Sequence, residues 1–316
     1  MILPRLDPMT RNRPHLGALA MLTAMLLFAC MDTISKWLVG SFPILQLMWA
    51  RSIAFSLLAI LLLRRDGLAA ALRSKRPVLQ GFCALLLVIE GAVFVLALKY
   101  MPLADAHALG STSPLAVVAL SAVFLRERVD AGRWLAVVAG CAGVFLILRP
   151  GFHDLAWTAL IPGACIVMWS SYQILSRICS QADGSDTTMA WSAFVALAFT
   201  SLCLPWNWVM PQPREWGLIA ALAVLGAGAT YCFIRALDFA PASVLQPFSY
   251  SVLVWVSLLG WIVFGDVPDI WTMAGAAVIV ASGLYTWRRD SEARAGELAA
   301  AAKPAWTGAI EHEGCQ

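Results

Sequence analysis

Charge is scarce in this chain of 316 residues. Asp, Glu, Lys and Arg together make up 13%, against 60% hydrophobic residues and a mean hydropathy of +0.76. Soluble chains carry about a quarter charged residues. A globule of this length leaves too much surface exposed to hide so much apolar material. The scarcity excludes an ordinary soluble enzyme and a disordered chain, and leaves an integral membrane protein. The net charge of +3 is too small for a nucleic-acid binder. Histidines number only four and are scattered. The eight cysteines contain no C-x-x-C pair, and seven sit singly in apolar stretches as small hydrophobes. No metal spacing exists. A G-x-x-x-x-G-K-[ST] phosphate loop is also lacking, and Gly226-Ala227-Gly228-Ala229 reads as a small-residue helix face. No cofactor and no metal are therefore expected. Alternating ten-residue segments, the mark of a membrane β-barrel, are missing too.

Long apolar runs are abundant. A helix needs roughly 20 apolar residues to cross the hydrocarbon. Ten stretches qualify: 17–38, 43–63, 78–98, 102–124, 132–149, 155–179, 187–209, 216–237, 241–264 and 270–287. Gly40-Ser41-Phe42-Pro43, Arg149-Pro150-Gly151, Pro211-Gln212-Pro213 and Val267-Pro268 punctuate them. The first stretch is too long for a signal peptide, lacks a clear small-residue cleavage site and reads as a retained helix. With the N-terminus placed inside, the inner connections hold 15 Lys and Arg and the outer ones 4. That bias puts both termini in the cytoplasm. Trp37, Trp134, Trp157, Trp206, Trp208, Trp216, Trp271 and Trp287 fall near span ends, where an amphipathic ring prefers to sit. Residues 1–16 form a cytoplasmic segment, and the polar stretch 288–316 is predicted to be a disordered cytoplasmic tail.

The chain also contains itself twice. Ala97-Leu98-Lys99-Tyr100-Met101-Pro102 matches Ala236-Leu237-Asp238-Phe239-Ala240-Pro241 at an offset of 139. Phe124-Leu125-Arg126-Glu127-Arg128 matches Val263-Phe264-Gly265-Asp266-Val267 at the same offset, and Ser35-Lys36 matches Ser176-Arg177 at 141. Each unit, 17–149 and 155–287, holds five spans. Five is odd, so the copies lie in opposite orientations, the architecture of many secondary transporters. On Pro102, Pro241, Pro114, Glu127 and Asp266, with the glycines of each fifth span (Gly140, Gly143, Gly275, Gly283), the chain resembles the drug/metabolite transporter superfamily, built of two EamA-type domains. The segments Met31–Leu38, Pro43–Gln46 and Trp49–Arg51 resemble its bacterial metabolite exporters and permeases. Leu253 stands where the first unit has Pro114. The resemblance implies proton- or exchange-driven movement of a small polar or amphipathic solute without ATP.

Ionisable residues inside spans are costly and mark function by default. Asp32, Lys36, Arg51, Glu90 and His107 form a layer in the outer half of the first repeat. Their counterparts in the second are mostly neutral: Gln173, Ala229 and Gln246, with only Arg177 matching Lys36. The second repeat instead offers Trp169, Tyr172, Tyr231 and Tyr250. Trp169 and Tyr172 are three apart on one helix face, beside Gln173, and read as a substrate wall. Trp49, Trp191 and Trp255 read as packing. Two readings of the charges compete. In one, Asp32 or Glu90 holds a proton or a substrate ammonium, and Arg51 or Lys36 holds a carboxylate. In the other, Asp32–Lys36 and Arg51–Glu90 are internal ion pairs. Lys99, Asp105, Arg235 and Asp238 read as anchors at span ends.

The expectation is an all-α membrane protein of ten helices in an inverted 5+5 repeat, sitting in a bacterial-type inner membrane. It is expected to be no enzyme but a secondary transporter of an amino-acid-like metabolite, with export favoured. An importer of a vitamin or nucleoside-like metabolite is the alternative, and a membrane-embedded enzyme or lipid scramblase the rival from another class. Its partners are a small-molecule solute and membrane lipid. Proton coupling stays open, as does the choice between monomer and homodimer. Small residues four apart, Ala139/Gly143 and Ala277/Ala281, permit close helix contact within one chain or between two.

Overall fold

A computed structural model describes residues 14–63, 67–124, 131–148, 156–183, 185–240 and 242–301. Among these residues the chain is helical and has no strand. The first repeat comprises α1 (Pro14–Leu38), α2 (Ile44–Leu63), the single turn α3 (Leu68–Ala71), α4 (Pro77–Tyr100), α5 (Leu103–Gly110), α6 (Ser113–Phe124) and α7 (Ala131–Leu148). The second comprises α8 (Ala156–Asp183), α9 (Ser185–Cys203), α10 (Pro213–Phe239), α11 (Ala242–Ser249), α12 (Ser251–Leu259) and α13 (Ile270–Ala301). A π-helical segment, Gly260–Phe264, follows α12. Among the described residues, seven helical stretches are long and apolar enough to cross a membrane, and two shorter apolar ones, Trp134–Leu148 and Leu160–Ser176, accompany them. Apolar side chains point outward in numbers that water would not permit. Leu57, Val138, Phe145, Val224, Val254 and Ile262 are all exposed. This is a multi-pass membrane protein.

The predicted fourth and ninth spans are each broken. In the fourth, α5 ends at Gly110 and α6 begins at Ser113. Pro114 has no N–H for the carbonyl of Gly110 four residues back, and the helical hydrogen bonding lapses there. The Ser113 hydroxyl donates to that carbonyl instead. Ser111 Oγ donates to His107 O (2.8 Å) and Thr112 Oγ1 to Leu109 O (2.6 Å), so the freed acceptors are satisfied. In the ninth span the turn falls at Tyr250, three residues after Pro247 inside α11. The two breaks, Ser111 and Tyr250, are separated by the repeat offset of 139.

The halves interlock by two different means. Along α2 the residues facing α9 are polar, at helical spacing. Trp49 Nε1 donates to Ser201 Oγ (3.1 Å), Ser52 Oγ meets Thr200 Oγ1 (3.0 Å), and Ser56 Oγ donates to Ala193 O (3.0 Å). Gln46 exchanges two hydrogen bonds with the Val209 backbone, at 2.8 and 3.1 Å. Between α7 and α13 the contact is instead one of small residues. A Cβ on Gly143 would lie 2.9 Å from Gly275 O, and one on Gly275 would lie 2.7 Å from Gly143 O. The glycine-bearing fifth and tenth spans therefore meet within one chain.

At the chain's end, α13 continues through Ala301 where the sequence predicts disorder from 288. Its alanine-rich stretch favours helix, and Arg288 Nε pairs with Glu292 Oε1 one turn on (2.9 Å). Residues 302–316, like 1–13, lie outside the described residues.

Candidate functional site

The buried charges gather where α1, α4 and α5 meet. Asp32 on α1 is 4% exposed and Glu90 on α4 is 8% exposed. Asp32 Oδ2 lies 3.2 Å from His107 Nε2 on α5. The imidazole is within ion-pair range but not lined up for a hydrogen bond, and Asp32 Oδ1 has no partner either. Phe94 stacks edge-on against the His107 ring, with centroids 5.2 Å apart, and fixes its plane. His107 sits in the last turn before the break, whose hydroxyl-capped carbonyls hold that turn in place.

Glu90 has no hydrogen-bond or ion-pair partner among the described residues. Its charged neighbours are Arg51 and Asp32, and it in turn lies near Cys165 and Tyr172 of α8. Arg51 comes no closer to Glu90 than the 4.0 Å limit for an ion pair. One acid and one base from the first repeat thus share a neighbourhood without forming an ion pair.

The aromatic pair stands on α8, with Tyr172 within electrostatic reach of Glu90. Trp169 and Tyr172 have ring centroids 5.4 Å apart at an interplanar angle of 32°. Tyr172 hydrogen bonds through its hydroxyl with Ser176 and Ser192. Trp169 keeps 37% of its surface exposed, and Gln173 is exposed beside it. Ser170, fully buried between them, donates to Ser113 O (3.2 Å) and ties α8 to the break in the fourth span.

The remaining sequence-predicted residues fall elsewhere. Lys36 does not pair with Asp32. Its ammonium bonds Asp266 Oδ2 of the second repeat at 2.8 Å and Met101 O at 3.2 Å, and it lies 4.8 Å from the centre of the Phe264 ring. The π segment widens the helix end, and Gly265, at φ 72°, turns the chain so that Asp266 meets the end of α1. Tyr231 accepts a hydrogen bond from Arg235 Nε one turn away (3.1 Å) and is not brought to Glu90 by any contact. Tyr250 turns toward α13, its hydroxyl buried against Gly283. The side chains of Gln246 and Arg177 lie outside the described residues. Sequence reasoning missed Ser251 and takes Trp255 as packing; Ser251 Oγ and Trp255 Nε1, both on α12, are buried without a hydrogen-bond partner among the described residues. The signal was a hydroxyl and an indole N–H four residues apart, on one helix face.

Beyond the spans, the second tie between the halves is Asp183. It accepts from Ser74 Oγ, Lys75 N (2.8 Å) and Gln80 Nε2 (3.1 Å). These bonds, led by that from Ser74, hold its carboxyl down to about 2.

Two repeats with matching broken spans, enclosing a layer of ionisable side chains, define a membrane carrier rather than a catalyst. The chain belongs to the EamA-like transporter family, whose model matches residues 15–149 and 157–287. It is 32% identical over 276 residues to a riboflavin transporter of Vibrio cholerae, covering 86% of this chain and 93% of that one. A riboflavin transporter of Rhizobium johnstonii is 29% identical, covering 88% and 93%. A pseudopaline exporter of Pseudomonas aeruginosa is 29% identical, covering 84% and 93%. A protein of known crystal structure, 24% identical, superposes with a TM-score of 0.59 over 85% of this chain and 96% of that one, and so shares the fold. The relatives are transporters of small molecules, and this chain is a small-molecule transporter, not an enzyme.

Proposed function

We propose that the chain is a secondary carrier for riboflavin or a closely similar planar, polar aromatic solute, moved inward by alternating access between the two repeats. The carrying observation is the Trp169–Tyr172 pair, with Glu90 within electrostatic reach of Tyr172. A tilted aromatic pair with Trp169 partly exposed offers a stacking surface, and the acid supplies a polar group for the same solute. Full-length similarity to the riboflavin transporters supports this reading over the amino-acid-like exporter that the sequence favours. In this reading ten spans run with both termini in the cytoplasm. Asp32, Glu90 and His107 carry the proton or the polar contacts, and Arg51 balances them. Lys36 ties the repeats together at the outer face.

The test is uptake of labelled riboflavin by a riboflavin-auxotrophic bacterium expressing the chain. Uptake that saturates, and that weakens in Trp169→Ala, is the expected result. Cells without riboflavin uptake refute it. A second reading rests on the unpaired Glu90 and Arg51, whose opposite charges suit a zwitterion, and on the similarity to the pseudopaline exporter. Efflux of an amino-acid-like metabolite in a screen of cells with and without the chain would favour that reading.

A further inference from the structure

Along α4 and α8 the two repeats meet at a constant register. Gln80 Nε2 of α4 donates to Asp183 Oδ2 at the end of α8 (3.1 Å). One turn along both helices, the thiols of Cys83 and Cys179 hydrogen bond to each other. Two turns beyond them, Glu90 of α4 lies within electrostatic reach of Tyr172 of α8. Gln80 and Cys83 are three residues apart, Asp183 and Cys179 four. Cys83 to Glu90 is seven residues, and so is Cys179 back to Tyr172. These steps are one and two helical turns, so one face of α4 runs antiparallel against one face of α8. The two thiols stand in that seam, between the clasp at Asp183 and the layer that holds Glu90. Both are free, and both cysteines are 1% exposed.

A facing pair of thiols has a chemistry that neither cysteine has alone. Helices packed about 8–10 Å apart bring facing Cα atoms to roughly 4–6 Å. A disulfide spans about 4.4–6.8 Å between Cα atoms, so the two ranges overlap. We propose that Cys83 and Cys179 are an oxidation site, a dithiol that closes into a disulfide joining the first repeat to the second. Two S–H bonds break and one S–S bond forms. Two protons and two electrons pass to the oxidant, an azo compound whose N=N bond becomes a hydrazine N–N bond. On the ten-span reading above, this end of the seam faces the cytoplasm, where thiols are kept reduced. Burial keeps the pair unreactive while the seam is shut. The oxidant reaches it when the ends of α4 and α8 part. The clasp opposes that opening, because Asp183 also accepts from Ser74 Oγ and Lys75 N. A carrier linked in this way cannot move one repeat on the other, and transport stops. The site itself is independent of the solute, and its effect on uptake rests on the carrier reading above.

The experiment treats membrane vesicles holding the full chain with diamide, a small uncharged azo dicarboxamide. Remaining thiols are then alkylated, and the peptides are mapped by mass without reduction. A peptide pair linked through Cys83 and Cys179 is expected, and dithiothreitol should separate it. Asp183→Ala should raise the rate of linkage about 10-fold, the effect of losing hydrogen bonds to a charged acceptor. Absence of the linked pair from the wild-type chain and from Asp183→Ala overturns the site. Equal rates in the two proteins overturn the part assigned to the clasp. Riboflavin uptake by the same vesicles should fall at least about 10-fold on oxidation and return with dithiothreitol. Cys83→Ala should take up riboflavin with or without diamide. Linkage with unchanged uptake overturns the arrest. If untreated vesicles take up no riboflavin, the flavin reading fails, and the linked peptide still decides the site.

Discussion

Replacing Lys36 with Gln and Asp266 with Asn, singly and together, measures how strongly the two repeats hold each other at the end of α1. The ammonium and carboxylate are 2.8 Å apart. At an effective dielectric constant of about 20, the gross attraction is about 6 kcal/mol. Desolvation offsets most of it, and the Asp266 side chain keeps 35% of its surface, so water screens the rest. The Met101 carbonyl and the Phe264 ring add to the ammonium's environment but do not touch Asp266. The expected net coupling is about 1 kcal/mol. Each single variant should therefore destabilise the purified protein, and the double variant should be about 1 kcal/mol less destabilised than the sum of the singles. Thermal unfolding in detergent, followed by intrinsic fluorescence across the four proteins, gives the cycle. Additivity within about 0.3 kcal/mol would show that the contact is a neighbourly placement without energetic weight.

Other expectations follow from the packing. Gly143→Ala places a methyl 2.9 Å from the Gly275 carbonyl and 2.8 Å from Ile279 Cγ1, closer than ordinary contact. The resulting overpacking should cost about 1–3 kcal/mol in detergent unfolding, and an unchanged midpoint would contradict the seam. Pro114→Leu installs the residue of the second repeat, restores a backbone donor to Gly110 and should straighten the fourth span. Riboflavin uptake per folded molecule is expected to fall at least about 10-fold through displacement of His107; full uptake would mean that the break is dispensable. Asp183 has a folded pKa below its unfolded value. Its contribution is therefore fully present above about pH 4 and is lost as pH falls through about 2. Asp183→Asn should leave unfolding midpoints equally flat between pH 5 and 8 and reduce the acid sensitivity below pH 4. A difference in slope near neutrality would refute that assignment.

Much of this layout was legible in the residues because apolar length and repeat spacing are local signals. The predicted span end at 38 is the end of α1, and those at 98 and 237 fall two residues short of Tyr100 and Phe239. The break at Ser111 is half visible in the sequence, since Pro114 marks the span but the loss of its bond to Gly110 shows only in the fold. The matching break at Tyr250 stands one repeat away, where Leu253 in place of Pro114 gives no signal, and Pro247 lies three residues before it. Pairings were less legible. Lys36 lies four residues from Asp32, a spacing that suggests a pair, but its partner is 230 residues away on a loop aimed by the π segment and Gly265. His107 and Asp32 were both named, but their contact depends on how α5 leans on α1 after Pro102. Trp255 looked like packing because an indole is mostly hydrocarbon. Only its surroundings reveal that the N–H has nowhere to bond.

The glycine seam of α7 and α13 bears on how such a molecule can move. Backbone against backbone, with no side chain between, is the shortest approach two helices can make. It leaves no slack to be taken up and none to be let out. A line of that kind behaves as an axle. On the alternating-access reading proposed above, the halves turn about it while the polar ladder of α2 and α9 and the ammonium clasp of Lys36 open or close at a distance. Motion is then directed to the elements that carry exchangeable hydrogen bonds. The fifth and tenth spans, which hold none of the buried charges, keep the two repeats in register throughout.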